Sequence, residues 1–177
     1  MTRSPWLVPV TAIRRTPGAR QAEHRTGAIG ELVVAGSRVP ADAEASADVV
    51  LDVIDGGIEV GGRVAAPWVG ECRRCLRPVT GCLDVAVREL YRPHAREVGG
   101  DADEETYPLA GELLDLAPMV RDALLLELPL APLCSDDCAG LCPTCGALLA
   151  DGPCGCDHRP ADPRWSALDA LGDPDGV

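Results

Sequence analysis

A chain of 177 residues with nine cysteines and no phenylalanine can hold one domain with its own core plus a small appended module, and Val, Leu and Ala must fill that core. The formal net charge of −12 repels a phosphate backbone, which disfavours attraction of the whole protein to nucleic acid. No run of about eighteen apolar residues is present, and prolines and charges break up residues 1–17, so neither a membrane partner nor a secretory leader is expected.

From the N-terminus, Ser4 to Val10 predicts a short edge strand, because its prolines forbid a place inside a sheet. Ile13-Arg-Arg-Thr-Pro-Gly18 is basic and ends in a turn. Ile29 to Ala35 predicts a strand, followed by a connection rich in Pro, Ala and Asp. The clearest local signal is Val49 to Ile54, then Asp55-Gly56-Gly57, then Ile58 to Val60. Alternation on both sides of Asp-Gly predicts a β-hairpin, with glycine supplying the positive φ. The second arm continues through Gly61 to Glu71 into Cys72-Arg-Arg-Cys75. Val79 to Tyr91 leaves on the far side with Leu83, Val85 and Val87 alternating, so a cysteine pair caps a second hairpin. Residues 93–111 are rich in Gly and acids and predict a flexible surface loop. Asp115 to Leu128 predicts a helix, with Pro118 tolerated in its first turn and Leu116, Val120, Ala123, Leu124 and Leu128 at helical spacing. After Pro129 and Pro132 comes the cysteine-rich segment. Asp162-Pro163 then offers a cap for a short closing helix that carries Trp165, Leu168 and Leu171.

Charge is uneven along this path. Residues 1–38 sum to +4 and residues 71–96 to +3, whereas 97–137 hold eleven acids against one Arg, for −10. The basic residues are all Arg, which with the Ala, Gly and Pro content points to a genome of high G+C and a bacterial source. In a reducing cytoplasm a dense, odd cysteine count argues for metal rather than disulfides.

Eight cysteines have ligand spacing: Cys72, Cys75, Cys134, Cys138, Cys142, Cys145, Cys154 and Cys156. Cys142-Pro-Thr-Cys145-Gly146 is a zinc knuckle in miniature, because its glycine lets the backbone fold toward the metal. Cys142, Cys145, Cys154 and Cys156 close one site within fifteen residues, and short closure costs less chain entropy than long closure. Cys72/Cys75 is then the complement of Cys134/Cys138, a pairing that clips the tail to the hairpin tip. Two zinc ions are preferred. A second partition, with Cys134, Cys138, Cys142 and Cys145 on one metal and Cys72, Cys75, Cys154 and Cys156 on another, stays open, as does one zinc with spare thiols. Four thiolates leave no open coordination position, so these metals read as structural rather than catalytic.

Cys82 reads as a small buried residue of its strand. His158 follows Cys156 closely and could replace it as a ligand, though a bystander role is favoured; His24 and His94 have no ligand spacing. Arg73, Arg74 and Arg77 flank the first knuckle and, with Arg14, Arg15, Arg20 and Arg25, could form an RNA-facing or partner-facing patch. The blander account is slightly preferred: a zinc with four thiolates carries a formal −2, which nearby arginines offset. There is no phosphate-binding Gly loop, no Ser or Cys nucleophile with a His base and no H-E-x-x-H helix, so the protein is not expected to be an enzyme.

Ile13-Arg-Arg-Thr-Pro-Gly18, Gly70-Glu-Cys-Arg-Arg-Cys-Leu-Arg-Pro78, Leu128-Pro-Leu130, Cys134 through Gly146 and Asp162-Pro-Arg-Trp-Ser-Ala-Leu168 together resemble the YceD-like family, in order and over nearly the whole chain. Leu148-Leu149-Ala150 stands where many relatives have Leu-Asn, a departure that leaves the cysteine framework untouched. The resemblance implies a non-enzymatic role in 23S ribosomal RNA accumulation and large-subunit biogenesis. The combined expectation is an α+β protein. Its β-rich core over 1–130 is mainly antiparallel with one packed helix, and its cysteine-rich zinc-binding tail over 131–177 ends in a short helix. Its partner would be a basic ribosomal protein or a pre-50S particle in the cytoplasm, with direct RNA contact not favoured by charge. The competing class is a zinc- or redox-responsive regulator.

Overall fold

The computed structural model describes residues 4–93, 106–156 and Arg164. The closing helix expected from Asp162, the alternative ligand His158, and His94 with the acidic run Asp101 to Glu105 lie outside those residues.

The Asp55-Gly56 hairpin organises the fold. Strand β5 (Glu44–Ile54) turns through Gly56, at φ +79°, into β6 (Gly57–Glu71), and the two pair antiparallel from Ile54↔Gly57 to Ser46↔Ala65. Strand β7 (Pro78–Arg92) pairs antiparallel along the other edge of β6, from Glu71↔Pro78 to Ile58↔Tyr91. Side chains alternate faces along a strand, so Leu51, Ile58, Val60, Val64, Leu83, Val87 and Tyr91 all point into one core. The opposite face carries exposed cross-strand ion pairs: Arg20–Asp52 at 3.0 Å, His24–Asp48 at 2.6 Å, Arg63–Asp84 at 2.7 Å and Arg88–Glu59 at 3.1 Å.

Strand β2 (Arg20–Ala28) lies beyond β5 and gives no strand signal in sequence, because Arg-Gln-Ala-Glu-His-Arg-Thr-Gly-Ala has no apolar alternation. It is a sheet edge, half exposed on one side and exposed on the other, so polar residues suit both faces. Of the strand expected at Ile29 to Ala35, only β3 (Leu32–Val34) forms, and it hairpins onto β4 (Ser37–Val39) inside the expected connection. β4 extends the β5 side of β6 through Ser37↔Gly70 and Arg38↔Val69.

Strand β1 (Leu7–Pro9) pairs antiparallel with β9 (Leu113–Asp115), and β8 (Tyr107–Pro108) pairs parallel with Tyr91 and Arg92. The end of the expected loop is therefore tied down, with Leu109 buried. Helix α1 (Ala117–Glu127) starts where the Asp115 carboxylate accepts from the Ala117 amide at 3.0 Å. Its apolar stripe of Leu116, Val120, Leu124 and Leu128 is buried as the spacing predicts. Three long-range bonds seat these elements on the sheet. Tyr91 Oη donates to Asp115 O at 3.1 Å, Arg121 Nη1 to Ile29 O at 2.6 Å, and Ser37 Oγ to Pro129 O at 2.6 Å. The result is a mostly antiparallel α+β fold with one packed helix. No helix among the described residues is long and apolar enough to cross a membrane.

Candidate metal centres

The two C-x-x-C pairs fold into the same turn. At the tip of the β6–β7 hairpin the Cys72 amide donates to Arg77 O and the Leu76 amide to Cys72 O, both at 2.8 Å. In the tail the Cys142 amide donates to Ala147 O at 2.8 Å and the Gly146 amide to Cys142 O at 2.9 Å. The residue after the second cysteine is left-handed in both, Leu76 at φ +61° and Gly146 at φ +73°. Such a turn presents backbone N–H groups to the first sulfur: Thr144 and Cys145 donate to Cys142 Sγ at 3.3 and 3.4 Å.

The structure groups the eight thiols into two sets of four, Cys72/Cys75/Cys134/Cys138 and Cys142/Cys145/Cys154/Cys156. Within each set all Sγ atoms lie within 4.8 Å of one another. Cys72 Sγ is 3.8 Å from Cys138 Sγ and Cys75 Sγ is 3.6 Å from Cys134 Sγ, separations far longer than a disulfide bond. The first set gathers the hairpin tip and the tail entrance, as the preferred sequence partition expects. Backbone bonds hold that junction independently of the thiols. Arg73 N–H donates to Pro132 O at 2.9 Å and Leu141 N–H to Arg74 O at 3.2 Å.

Burial separates the two sets. Cys72, Cys75 and Cys138 are buried with only Cys134 exposed, whereas in the second set only Cys142 is buried and Cys145 is exposed. Their first cysteines titrate alike. Burial pushes the Cys72 thiol up, but backbone N–H groups of Cys134, Cys75 and Arg74 prevail and lower it to about 6. Cys142 also falls to about 6, with burial opposed by the amides of Cys145 and Thr144. Burial raises Cys138 to about 12, and the neighbouring Cys145 and Cys154 sulfurs raise Cys156 to about 12. Each set thus resists becoming fully ionised, because negative sulfurs at this spacing repel. A cation among them reverses that preference, so each cluster could hold a metal ion through four protein ligands.

Arg74 and Arg77 turn toward this chemistry. Arg74 Nη1 donates to Asp136 O and Cys138 O, both at 3.0 Å. Arg77 hydrogen-bonds the Cys75 sulfur and holds that thiol below its ordinary value. Arg73 is exposed. Cys82, expected to be buried, is exposed: once Leu83 faces the core, strand alternation sends Cys82 to the opposite face. His24 sits on β2 against Asp48. The hydrogen bonds from Arg73 and Arg74 to residues about sixty positions away had no signature in sequence beyond the unpaired cysteines themselves.

Among relatives, an uncharacterized protein of Mycobacterium tuberculosis is 38% identical over 170 residues, covering 93% of this chain and 80% of its own length. One from Mycobacterium leprae is 36% identical over 179 residues, with 97% and 80% covered. A maize chloroplast protein described as large ribosomal RNA subunit accumulation protein YCED homolog 1 is 38% identical over 58 residues, 32% of this chain and 20% of that protein. No solved structure matches. The sequence model of the family described as large ribosomal RNA subunit accumulation protein YceD matches residues 60–172, a span that takes in most of β6, all of β7, the helix and both cysteine sets, and the chain belongs to that family.

Proposed function

We propose that the protein supports 23S ribosomal RNA accumulation, and so large-subunit biogenesis in the bacterial cytoplasm, as a non-enzymatic binding factor with one structural zinc ion in each cysteine set. The observation that carries this reading is the closure of both sets by four thiols. Tetrahedral zinc with bonds of about 2.3 Å has ligand edges of about 3.8 Å, and the Cys72–Cys138 and Cys75–Cys134 separations of 3.8 and 3.6 Å suit it. A closed site fixes shape and leaves no position for substrate or water, which favours a structural role. The family description supplies the ribosomal context.

The partner we infer is a basic ribosomal protein or a pre-50S surface. Glu112, Asp122, Glu127, Asp136 and Asp137 are exposed along the acidic stretch and would hold it. Direct RNA contact through Arg73, Arg74 and Arg77 is the weaker version, since two of those side chains serve the first cysteine set. Metal analysis of native protein is expected to find two zinc per chain, and iron or no metal would overturn the zinc assignment. In pull-downs from cells, neutralising Glu127, Asp136 and Asp137 should weaken capture of basic large-subunit proteins, and salt should weaken it further. If those changes instead strengthen capture of 23S RNA while removal of Arg73 abolishes it, RNA is the direct ligand. The exposed Cys145 favours a second reading, a zinc- or redox-responsive regulator, which recovery of neither component would support.

A further inference from the structure

Strand β7 has an open edge. The register with β6 is uniform over its length, and the Cys72 N–H to Arg77 O bond shows which residues face β6: the odd-numbered ones. The N–H and C=O groups of Thr80, Cys82, Asp84, Ala86, Arg88 and Leu90 therefore point away from the sheet, with Pro78 offering only its C=O. Arg92 O confirms the phase, because it accepts from Leu109 N–H on the β8 side at 2.8 Å. β8 covers only Tyr91 and Arg92. Among the described residues no strand pairs with 78–90; the outward Asp84 O accepts from Arg63 Nη2 at 3.1 Å and keeps a second lone pair.

The other long edge, β2, is guarded by Arg20, Glu23, His24 and Arg25, and its Ala28 O is taken by Trp6 Nε1 at 3.1 Å. Charges of that kind keep an edge from pairing. From Pro78 to Val87, β7 carries one charge, Asp84, already paired with Arg63. Its flanking Val79 and Val85 are half-buried, as an edge awaiting a neighbour would leave them.

We propose that this edge binds the same edge of a second copy of the chain, making one continuous sheet through an antiparallel β7–β7 seam across a two-fold axis. Charge and β8 select the register. A centre at Asp84 sets two carboxylates opposite each other, and a centre further along drives the second copy's strand into β8. Centring on Cys82 places Asp84 opposite Thr80 and Val85 opposite Val79 of the second copy. Centring on Leu83 places Asp84 opposite Cys82 and Val87 opposite Val79. Both pair the outward groups of Thr80, Cys82, Asp84 and Ala86, and both keep the core faces of the two copies on one side. The seam needs no metal and stands apart from the zinc assignment.

Sedimentation of the native, metal-loaded full chain over a wide concentration range tests this. The expected result is a dimer that Ala86→Pro converts to a folded monomer, halving the mass. The Ala86 N–H makes no bond to β6, so proline there spares the protomer's own ladder. Hydrogen exchange of the wild type guards against a variant that misfolds: the amides of Thr80, Cys82, Asp84 and Ala86 should become protected as concentration rises. A monomer at every concentration overturns the proposal. So does a dimer that a folded Ala86→Pro variant retains, or protection of these amides that is independent of concentration and so comes from the chain's own segments.

Discussion

The two knuckles share a backbone and differ in everything around it. Both place an N–H ring about their first cysteine, both bring its thiol to about 6, and both need a left-handed residue at the fifth position. The first is closed by cysteines 59 and 66 positions away and sits in a buried cluster with Val79, Leu133 and Leu148. The second closes within its own segment and stays largely open to solvent. The turn sets ligand chemistry, then, while the surroundings set what losing the ligand does to the rest of the molecule.

The largest expected effect follows from that asymmetry. Cys72→Ser should remove one metal per chain and lower Tm by roughly 10 °C or more, because it unfastens the tail entrance from the hairpin, whereas Cys145→Ser should remove one metal with a much smaller fall. Metal content and thermal unfolding of both variants check this, and equal Tm losses would erase the distinction. A chelator should strip the exposed set first, so that hydrogen exchange over 142–156 quickens about tenfold or more before 134–138 responds. Simultaneous loss would mean that the two sets open as one unit.

The left-handed position offers a smaller test. Gly146→Ala should cost about 1 kcal/mol from backbone strain alone, since an added methyl meets no atom there, and Leu76→Gly should relieve up to about 1 kcal/mol. Denaturant unfolding of the two variants should move in opposite directions. The smallest effect is one of pH in the metal-free chain. Cys72 and Cys142 lie below their ordinary 9.0, so the stability they lend is full above pH 9 and is lost as pH falls through about 6. Cys138 and Cys156 are raised, so theirs is present below pH 9 and lost as pH rises through about 12. Thiolate absorbance should show two sulfurs per chain titrating together near pH 6, and a separation between them would end the likeness.

What could be read from sequence was what local chemistry fixes. The Asp55-Gly56 hairpin, the helix stripe from Leu116 to Leu128 and the knuckle turns each depend on neighbours within a few positions, and each formed as the spacing implied. Which cysteine pairs would share a cluster was only a preference, because chain-closure cost discriminates weakly between long loops. β2 was invisible since an edge strand tolerates polar residues on both faces, and β4 is three residues long. The inward turn of Arg74 and Arg77 depended on carbonyls and sulfurs that tertiary folding alone delivers.

The span between Cys75 and Cys134 also has a meaning in time. A ribosome adds about 5–20 residues each second, so the 59 positions separating them take about 3–12 s to synthesise. Once β7 has been made, and for the rest of that interval, the hairpin can be complete while its tip shows two thiols with no counterpart. The tail knuckle, in contrast, is closed almost as soon as it is made. During its own birth the protein is a half-finished chelate, open to whichever metal or thiol-reactive species reaches it before its remaining ligands arrive.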